Sequence, residues 1–456
     1  VFEKELHMCP GYNNSTDEIN KAAMLFCEGM NEKDIASILA CNMDDVKSML
    51  DKALHEKYFR YEPILSIDDF TKDMSDFLYN ETLSKDISEV LRESIELCHI
   101  PVTVSMSPLD MFSKYQCSSP ENEDNRKKYV RAETESLYIV GRRAAQELSQ
   151  KLFDGQDHVI GVNYGVSVYS TVRFIAPLPS QVTNKLTIVS LFGDLDFHTQ
   201  LEEDFPFIHK DKKLACNDIV AQFANRLGPN ATAELLNAPV YIPQPFKADS
   251  TTFEDIHSFL TNHASYGRIF TASGQQSGVP LISSIDTLIS GFGSADNYTV
   301  LQRFLGNWLD KEEFAKVMQY CENGDIVGDL GGHFITAHGK TNLSGDLPDF
   351  LESVNRRLVA TKPKHFTEVA ERHLQNKDKG AGVVGIAAGG RKARVLNALL
   401  AQRPCPISSL FIDSHCALAL LKLIDKKRFD DLVKKNQGSI AFDSNTWSDG
   451  TKRLFS

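Results

Sequence analysis

No two of the nine cysteines, scattered singly from Cys9 to Cys416, form a C-x-x-C pair. An odd, unpatterned set of thiols outlines neither a disulfide frame nor a zinc site and points to reduced cysteines in a cytoplasm. No stretch approaches the ~18 consecutive apolar residues of a membrane-spanning helix, and the first residues, Val1-Phe-Glu-Lys-Glu-Leu-His7, lack a basic region followed by an apolar one. Neither a membrane span nor a signal peptide is therefore expected. Positive charge is in deficit, with 49 Lys and Arg against 61 Asp and Glu. A net charge of −12 disfavours broad nucleic-acid affinity, so any DNA contact has to come from a local patch. What remains is a chain of 456 residues, 42% hydrophobic and 24% charged, long enough for a sizeable core and two or three domains.

The stretch richest in chemistry lies near the end. Gly382-Val-Val-Gly-Ile-Ala-Ala-Gly-Gly390 is followed by Arg391-Lys392-Ala-Arg394 and by the apolar Val395 to Leu400. An apolar run, a glycine turn and a cluster of cations opening a helix presents backbone N–H groups and positive charge to an anion, usually a phosphate. An ordinary strand-to-helix turn with a surface lysine gives the same pattern.

At the other end, Asp17 to Cys27 spaces its apolar residues as a helix does. Asn31 to Leu39 and Asn42 to Leu50 each begin with a capping asparagine. Together they read as a helix-turn-helix whose core is Ile35, Ala36, Leu39, Val46 and Leu50, or as another small three-helix bundle. DNA readout would fall to Asn31, Lys33, Asn42, Lys47 and Ser48. That face is acidic: Asp44, Asp45 and Asp51 oppose Lys47 and Lys52, and residues 1–60 hold seven Lys and Arg against eleven Asp and Glu.

Tyr61 to Asp86 reads as a short helical connector, Ile87 to Leu97 as an amphipathic helix and Pro101 to Ser105 as a strand. Pro120 to Lys128 is polar enough for a surface loop. From Glu133 helices and strands alternate. A helix over Ile139 to Leu152 precedes strands at His158–Gly161, Lys185–Leu191, Ala238–Ile242, Leu288–Ser294, Gly328–Ile335 and Ser408–Asp413. Several end in glycine beside a hydroxyl, amide or carboxylate. In an open parallel sheet ligands gather beyond the carboxyl ends of the strands, which makes these loops the expected walls of one site. The basic tail from Lys426 to Lys435 fits a solvated helix face or a partner contact.

In collinear order, Ile35-Ala-x-x-Leu39 with Val46-x-x-Met-Leu50, Gly161-Val-x-Tyr-Gly165-x-Ser167, Val189-x-Leu-x-Gly193, Asn217 with Ala238-Pro239, Gly291-Phe-Gly-Ser294, Gly328-Asp329-x-x-Gly332-x-Phe334, Gly385-Ile-Ala-x-Gly389-x-x-Lys392-Ala393 and Asp413 resemble the SorC family of bacterial transcription regulators. The family's effector domain is related to glucosamine-6-phosphate deaminase, ribose-5-phosphate isomerase and CoA transferases. The resemblance implies an α/β protein, a helix-turn-helix unit followed by a Rossmann-like, mostly parallel sheet with helices on both faces. It divides the chain into a DNA-binding-like unit (15–62), a connector (63–86), an effector domain (87–424) and a C-terminal extension (425–456).

It also implies a homo-oligomer, dimer or tetramer, whose grip on operator DNA answers to a phosphorylated sugar. Lys392 and the amides around Gly389 would hold the phosphate, with Asn163, Gly165 and Ser167. Asp194 and Asp329 would accept from sugar hydroxyls, and Gly161, Tyr164, Gly193, Gly293 and Ser294 would complete the walls. Where the family's recognition helix usually carries arginines, this chain has Asn42-Met43 and Lys47-Ser48. A sensor with weakened DNA binding that acts through protein partners is therefore a second reading, and a sugar-phosphate isomerase or deaminase a third. No cofactor, metal or catalytic set is expected: Cys416 follows His415 directly, and Asp329 has no second titratable group at a recognisable spacing.

Overall fold

Strands buried on both faces read as near-continuous apolar runs, whereas edge strands alternate. That contrast runs through the computed structural model, which describes residues 4–8, 18–27, 32–55, 59–63, 81–95, 100–107, 123–175, 183–193, 215–242, 251–271, 278–295, 308–337 and 346–436. The first unit is helical. Helices α1 (Glu18–Cys27), α2 (Glu32–Leu39) and α3 (Met43–His55) enclose Ala22, Leu25, Ile35, Ala36, Val46 and Leu50, with Leu39 half-buried beside them. Asn42 caps α3 through Oδ1, which accepts from the Asp45 N–H at 2.8 Å, and Asp45 Oδ2 accepts in return from the Asn42 N–H at 3.4 Å. Strand β1 (Lys4–Met8) pairs antiparallel with β2 (Phe59–Pro63), so the start of the expected connector is a strand instead. Of the rest of that connector, residues 64–80 lie outside those described, and 81–86 open helix α4 (Glu81–Ser94).

The main sheet has seven strands, all parallel: β3 (Val102–Ser105), β4 (His158–Val162), β5 (Leu186–Ser190), β6 (Ala231–Glu234), β7 (Thr287–Gly291), β11 (Gly382–Ala387) and β12 (Ser409–Asp413), in the order β3-β12-β11-β7-β4-β5-β6. Central β11 is buried at all six positions, while edge strands β3 and β6 are only partly covered. Helix α5 (Glu123–Leu152) follows edge strand β3, whereas α6 (Val166–Val172) and α7 (Cys216–Leu227) follow β4 and β5 in one half of the sheet. Helices α8 (Lys311–Glu322), α9 (Leu347–Arg356), α10 (Pro363–Gln375), α11 (Ala393–Leu400), α12 (Ser414–Ile424) and α13 (Lys426–Lys435) follow in the other. A small antiparallel sheet, β8 (Gly293–Ser294), β9 (Ile326–Leu330) and β10 (His333–Thr336), sits beyond the end of β7.

Two further expectations are corrected. Glu123 to Lys128 begins the long helix α5 and is not a loop; its polar residues hide the helix that the later, buried turns hold in place. Ala238–Ile242 forms no sheet strand and instead bridges the segment from Arg357 to Ala360, with Val359 donating to the Val240 carbonyl at 2.7 Å. The tail helix α13 keeps Lys426, Lys427, Arg428, Lys434 and Lys435 exposed, the expected solvated face, while Phe429 and Leu432 are buried and Arg428 and Lys435 pair with Glu93 at 3.1 Å and Asp86 at 2.8 Å on α4. Helix α4 also covers the sheet edge, its Ser84 hydroxyl donating to the Val104 carbonyl while the Val104 N–H donates to Ser88 Oγ at 3.1 Å. Those bonds satisfy backbone groups that an open edge would offer to another chain.

Candidate functional site

From β4 the chain moves outward through β5 to β6, and from β7 it moves the other way through β11 to β12. The order therefore reverses between β4 and β7, and loops leaving neighbouring strands there part to either side, opening a crevice. A cavity of about 110 Å³ lies there, lined by residues from the ends of β4, β7, β9 and β11 and from α5. It brings together Asn163, Tyr164, Gly165, Ser167, Gly293, Ser294, Asp329 and Lys392, all named from the sequence. A wider groove of about 600 Å³, lined in part by Arg143, Lys151, His373 and Lys377, lies at the opposite, amino ends of β3, β11 and β12, away from the converging loops.

Each wall has a local cause. The Asn163 N–H donates to the Ile289 carbonyl at 3.1 Å and its Nδ2 to Ser290 Oγ at 3.3 Å, which fastens the β4 loop to β7. Tyr164 lies on the Phe192 ring, centroids 4.1 Å apart, and its hydroxyl donates to Asp329 Oδ1 at 3.4 Å. The same oxygen accepts from the Gly332 N–H at 3.1 Å across the tight β9–β10 turn. A Cβ on Gly293 would fall 1.5 Å from Asp329 Oδ2, so only glycine lets this carboxylate lie against β8. Burial pushes the Asp329 carboxyl above its ordinary range, against the pull of the Lys392 ammonium, the Gly332 N–H and the Tyr164 hydroxyl. Burial and the Asp329 charge push the Tyr164 phenol well up, so it stays a hydrogen-bond donor.

Three named glycines take other parts. Gly389, at φ 82°, is needed for the turn, but its N–H donates to Asp413 Oδ1 at 3.0 Å. That amide is committed to the carboxylate that caps α12 through the Cys416 N–H at 2.8 Å. Gly161 and Gly193 are positions of close packing: a Cβ would meet the Leu191 side chain at 2.6 Å in one case and the Val240 backbone at 2.6 Å in the other. Asp194 and Asn31 lie outside the described residues. Lys33, Asn42, Lys47 and Ser48 are exposed on the helical unit.

The cavity also holds residues that the sequence did not single out. Glu133 from α5 is 6% exposed and pairs with Arg391, whose Nε donates to Oε1 at 3.2 Å and whose Nη2 donates to Oε2. Arg391 stood in the cation cluster and could have been found there; Glu133 is 258 residues away along the chain and carries no local signal. Cys416 is fully buried, and burial with the Asp413 charge pushes its thiol well up, which does not suit a nucleophile. Among the described residues there is no metal-binding cluster, and no helix is long and apolar enough to cross a membrane.

Fold and site together define an α/β domain built on a seven-stranded parallel sheet, with a crevice at its topological switch point. No family model matches the chain, and no curated protein does. The solved structures it is similar to include a sugar-binding domain of a transcriptional repressor from Vibrio fischeri, at 19% identity over 75% of this chain and 100% of that one, with a TM-score of 0.48. They also include a probable sor operon regulator from Shigella flexneri, at 15% identity over 74% and 99%, with a TM-score of 0.47. The full-length sorbitol operon regulator SorC from Klebsiella pneumoniae is 18% identical over 90% of this chain and 100% of that one, with a TM-score of 0.46.

Proposed function

We propose that the chain is an effector-responsive transcription regulator whose switch-point crevice binds a phosphorylated sugar. The observation that carries this reading is the meeting of Lys392 and Asp329 in one partly enclosed cavity walled by glycine turns. A phosphate ester needs a cation and close backbone approach; a sugar hydroxyl needs a buried acceptor. Both stand within one small volume, at the carboxyl ends of the strands. The three-helix unit supplies the other half of the reading, as a helix-turn-helix in front of a ligand-binding domain, and a homo-oligomer would multiply weak DNA contacts. Ligand binding alters DNA affinity only as far as it favours one subunit arrangement over another.

A thermal-shift screen with paired phosphorylated and unphosphorylated sugars on wild type and Lys392→Ala tests the sensor. Selective stabilisation of wild type by phosphorylated members is the expected result; equal stabilisation of both proteins removes Lys392 as the anchor. One observation favours a second reading, a sensor that acts through protein contacts. The exposed face of α3 presents Asp44 and Asp45 beside Lys47, with Met43 43% exposed. Binding to the protein's own promoter that weakens with salt separates the two.

A further inference from the structure

Two cations, Arg391 and Lys392, face two carboxylates, Glu133 and Asp329, in the crevice. A dianionic ligand entering a site balanced in this way gains little from the cations unless a carboxylate gives way. Asp329 is fixed by the Gly332 N–H, the Tyr164 hydroxyl and the contact with Gly293. Glu133 is held differently. Its carboxylate lies against the glycine turn, with Oε1 2.6 Å from where a Cβ on Gly389 would be, and both of its oxygens take the fork of Arg391. Arginine offers the same bidentate fork to carboxylates and phosphates. The side chains of Arg391 and Glu133 are 17% and 8% exposed, so this exchange takes place largely out of water, where losing one anion without gaining another is costly.

We propose that Glu133 is a built-in competitor for the anion position. Resting on the reading of this crevice as a phosphate-ester site, the proposal assigns the Glu133 carboxylate to the place that the ligand's phosphate takes at Arg391 and the Gly389 turn. Entry of the ligand displaces it. Glu133 thereby sets affinity and selects ligands with a full phosphate dianion over those with a single weak acceptor. The exchange acts on α5 as well, since the displaced side chain is anchored where that helix packs into the site, beside Ser136, whose hydroxyl meets Ser107 Oγ at 2.6 Å.

The test is calorimetric titration with inorganic phosphate at fixed ionic strength on wild type, Glu133→Gln, Glu133→Asp, Glu147→Gln and Lys392→Ala, each checked for folding by thermal melt. Glu147 lies on the same helix but outside the crevice, paired with Arg143, and controls for net charge. Glu133→Gln is expected to bind phosphate about tenfold more tightly than wild type, the scale of one charge-assisted contact. Glu133→Asp, which draws the carboxylate back by one methylene, should gain less, and Glu147→Gln should match wild type. The gain should vanish when Arg391→Gln is combined with Glu133→Gln. No gain in either Glu133 variant, or an equal gain in Glu147→Gln, overturns the proposal. If Glu133→Gln does not fold, Glu133→Asp decides by the same criterion. Phosphate bound equally by Lys392→Ala and wild type would instead sink the underlying site reading, whatever Glu133 does.

Discussion

In the crevice the charged groups are withdrawn from water, with Asp329 5% exposed and the Arg391 and Glu133 side chains 17% and 8%. On the three-helix unit Lys33, Asp44, Asp45 and Lys47 are all exposed. Identical residue types thus have different weight in the two regions. Buried charges act on one another at short range with little screening, and each must find a partner; exposed ones are screened within about 10 Å at ordinary salt. A crevice lined by buried charges can therefore discriminate with a few residues, while the helical unit would need several aligned cations to hold DNA.

The sharpest way to break this contrast is to remove a buried charge in the α/β domain. Arg357 is 1% exposed and donates from Nε to the Tyr241 hydroxyl at 2.7 Å and from Nη2 to Glu313 Oε2 at 2.9 Å. Arg357→Ala should cost about 3–5 kcal/mol in urea unfolding; a loss no larger than that of a surface substitution would show that burial does not set the weight of charge here. Next in size is a pH effect. Burial, aided by the Lys362 charge, lowers His333 from its ordinary 6.5 to about 4. The unfolded chain then binds a proton that the folded one does not as pH falls through 6.5 towards 4, so stability is lost across that window and retained above it. The loss should be roughly 1–3 kcal/mol. His333→Phe should flatten the melting-temperature curve over the same window, and an unchanged curve would count against the buried neutral imidazole.

Smaller effects belong to the helical unit. Ala40 sits at φ 53° after α2, with the Cys41 N–H donating to the Ala36 carbonyl at 3.0 Å, the cap geometry that glycine usually fills. Ala40→Gly should stabilise this unit by about 1 kcal/mol in a local unfolding measurement such as hydrogen exchange; destabilisation would contradict that backbone assignment. The least change is expected from Ser48→Arg on the exposed face of α3. If this face meets DNA, one added phosphate contact should steepen the slope of log affinity against log salt by about 0.9. An unchanged slope favours the reading without DNA.

Much of the sheet was legible because strands such as Val383–Ala387 and Leu288–Ile289 are buried on both faces and read as apolar runs. Edge strand β6 was not, since Ala231-Thr-Ala-Glu234 has little to bury. Its place was given to Ala238–Ile242, which is apolar because it packs against the segment from Arg357 to Ala360. In the crevice, the residues at strand ends are marked in the sequence by glycine and hydroxyl patterns. Glu133 was missed because nothing in a helix reveals which cation it meets across the fold, and the Gly389 amide was assigned to a ligand although Asp413 takes it.

Isothermal titration of wild type and Lys392→Ala with one phosphorylated sugar and its unphosphorylated counterpart tests the central claim most directly. The phosphorylated ligand should bind wild type at least about tenfold more tightly than the variant, a difference near 1.4 kcal/mol, with no such gap for the unphosphorylated form. Equal affinity of the two proteins for the phosphate ester would contradict the account.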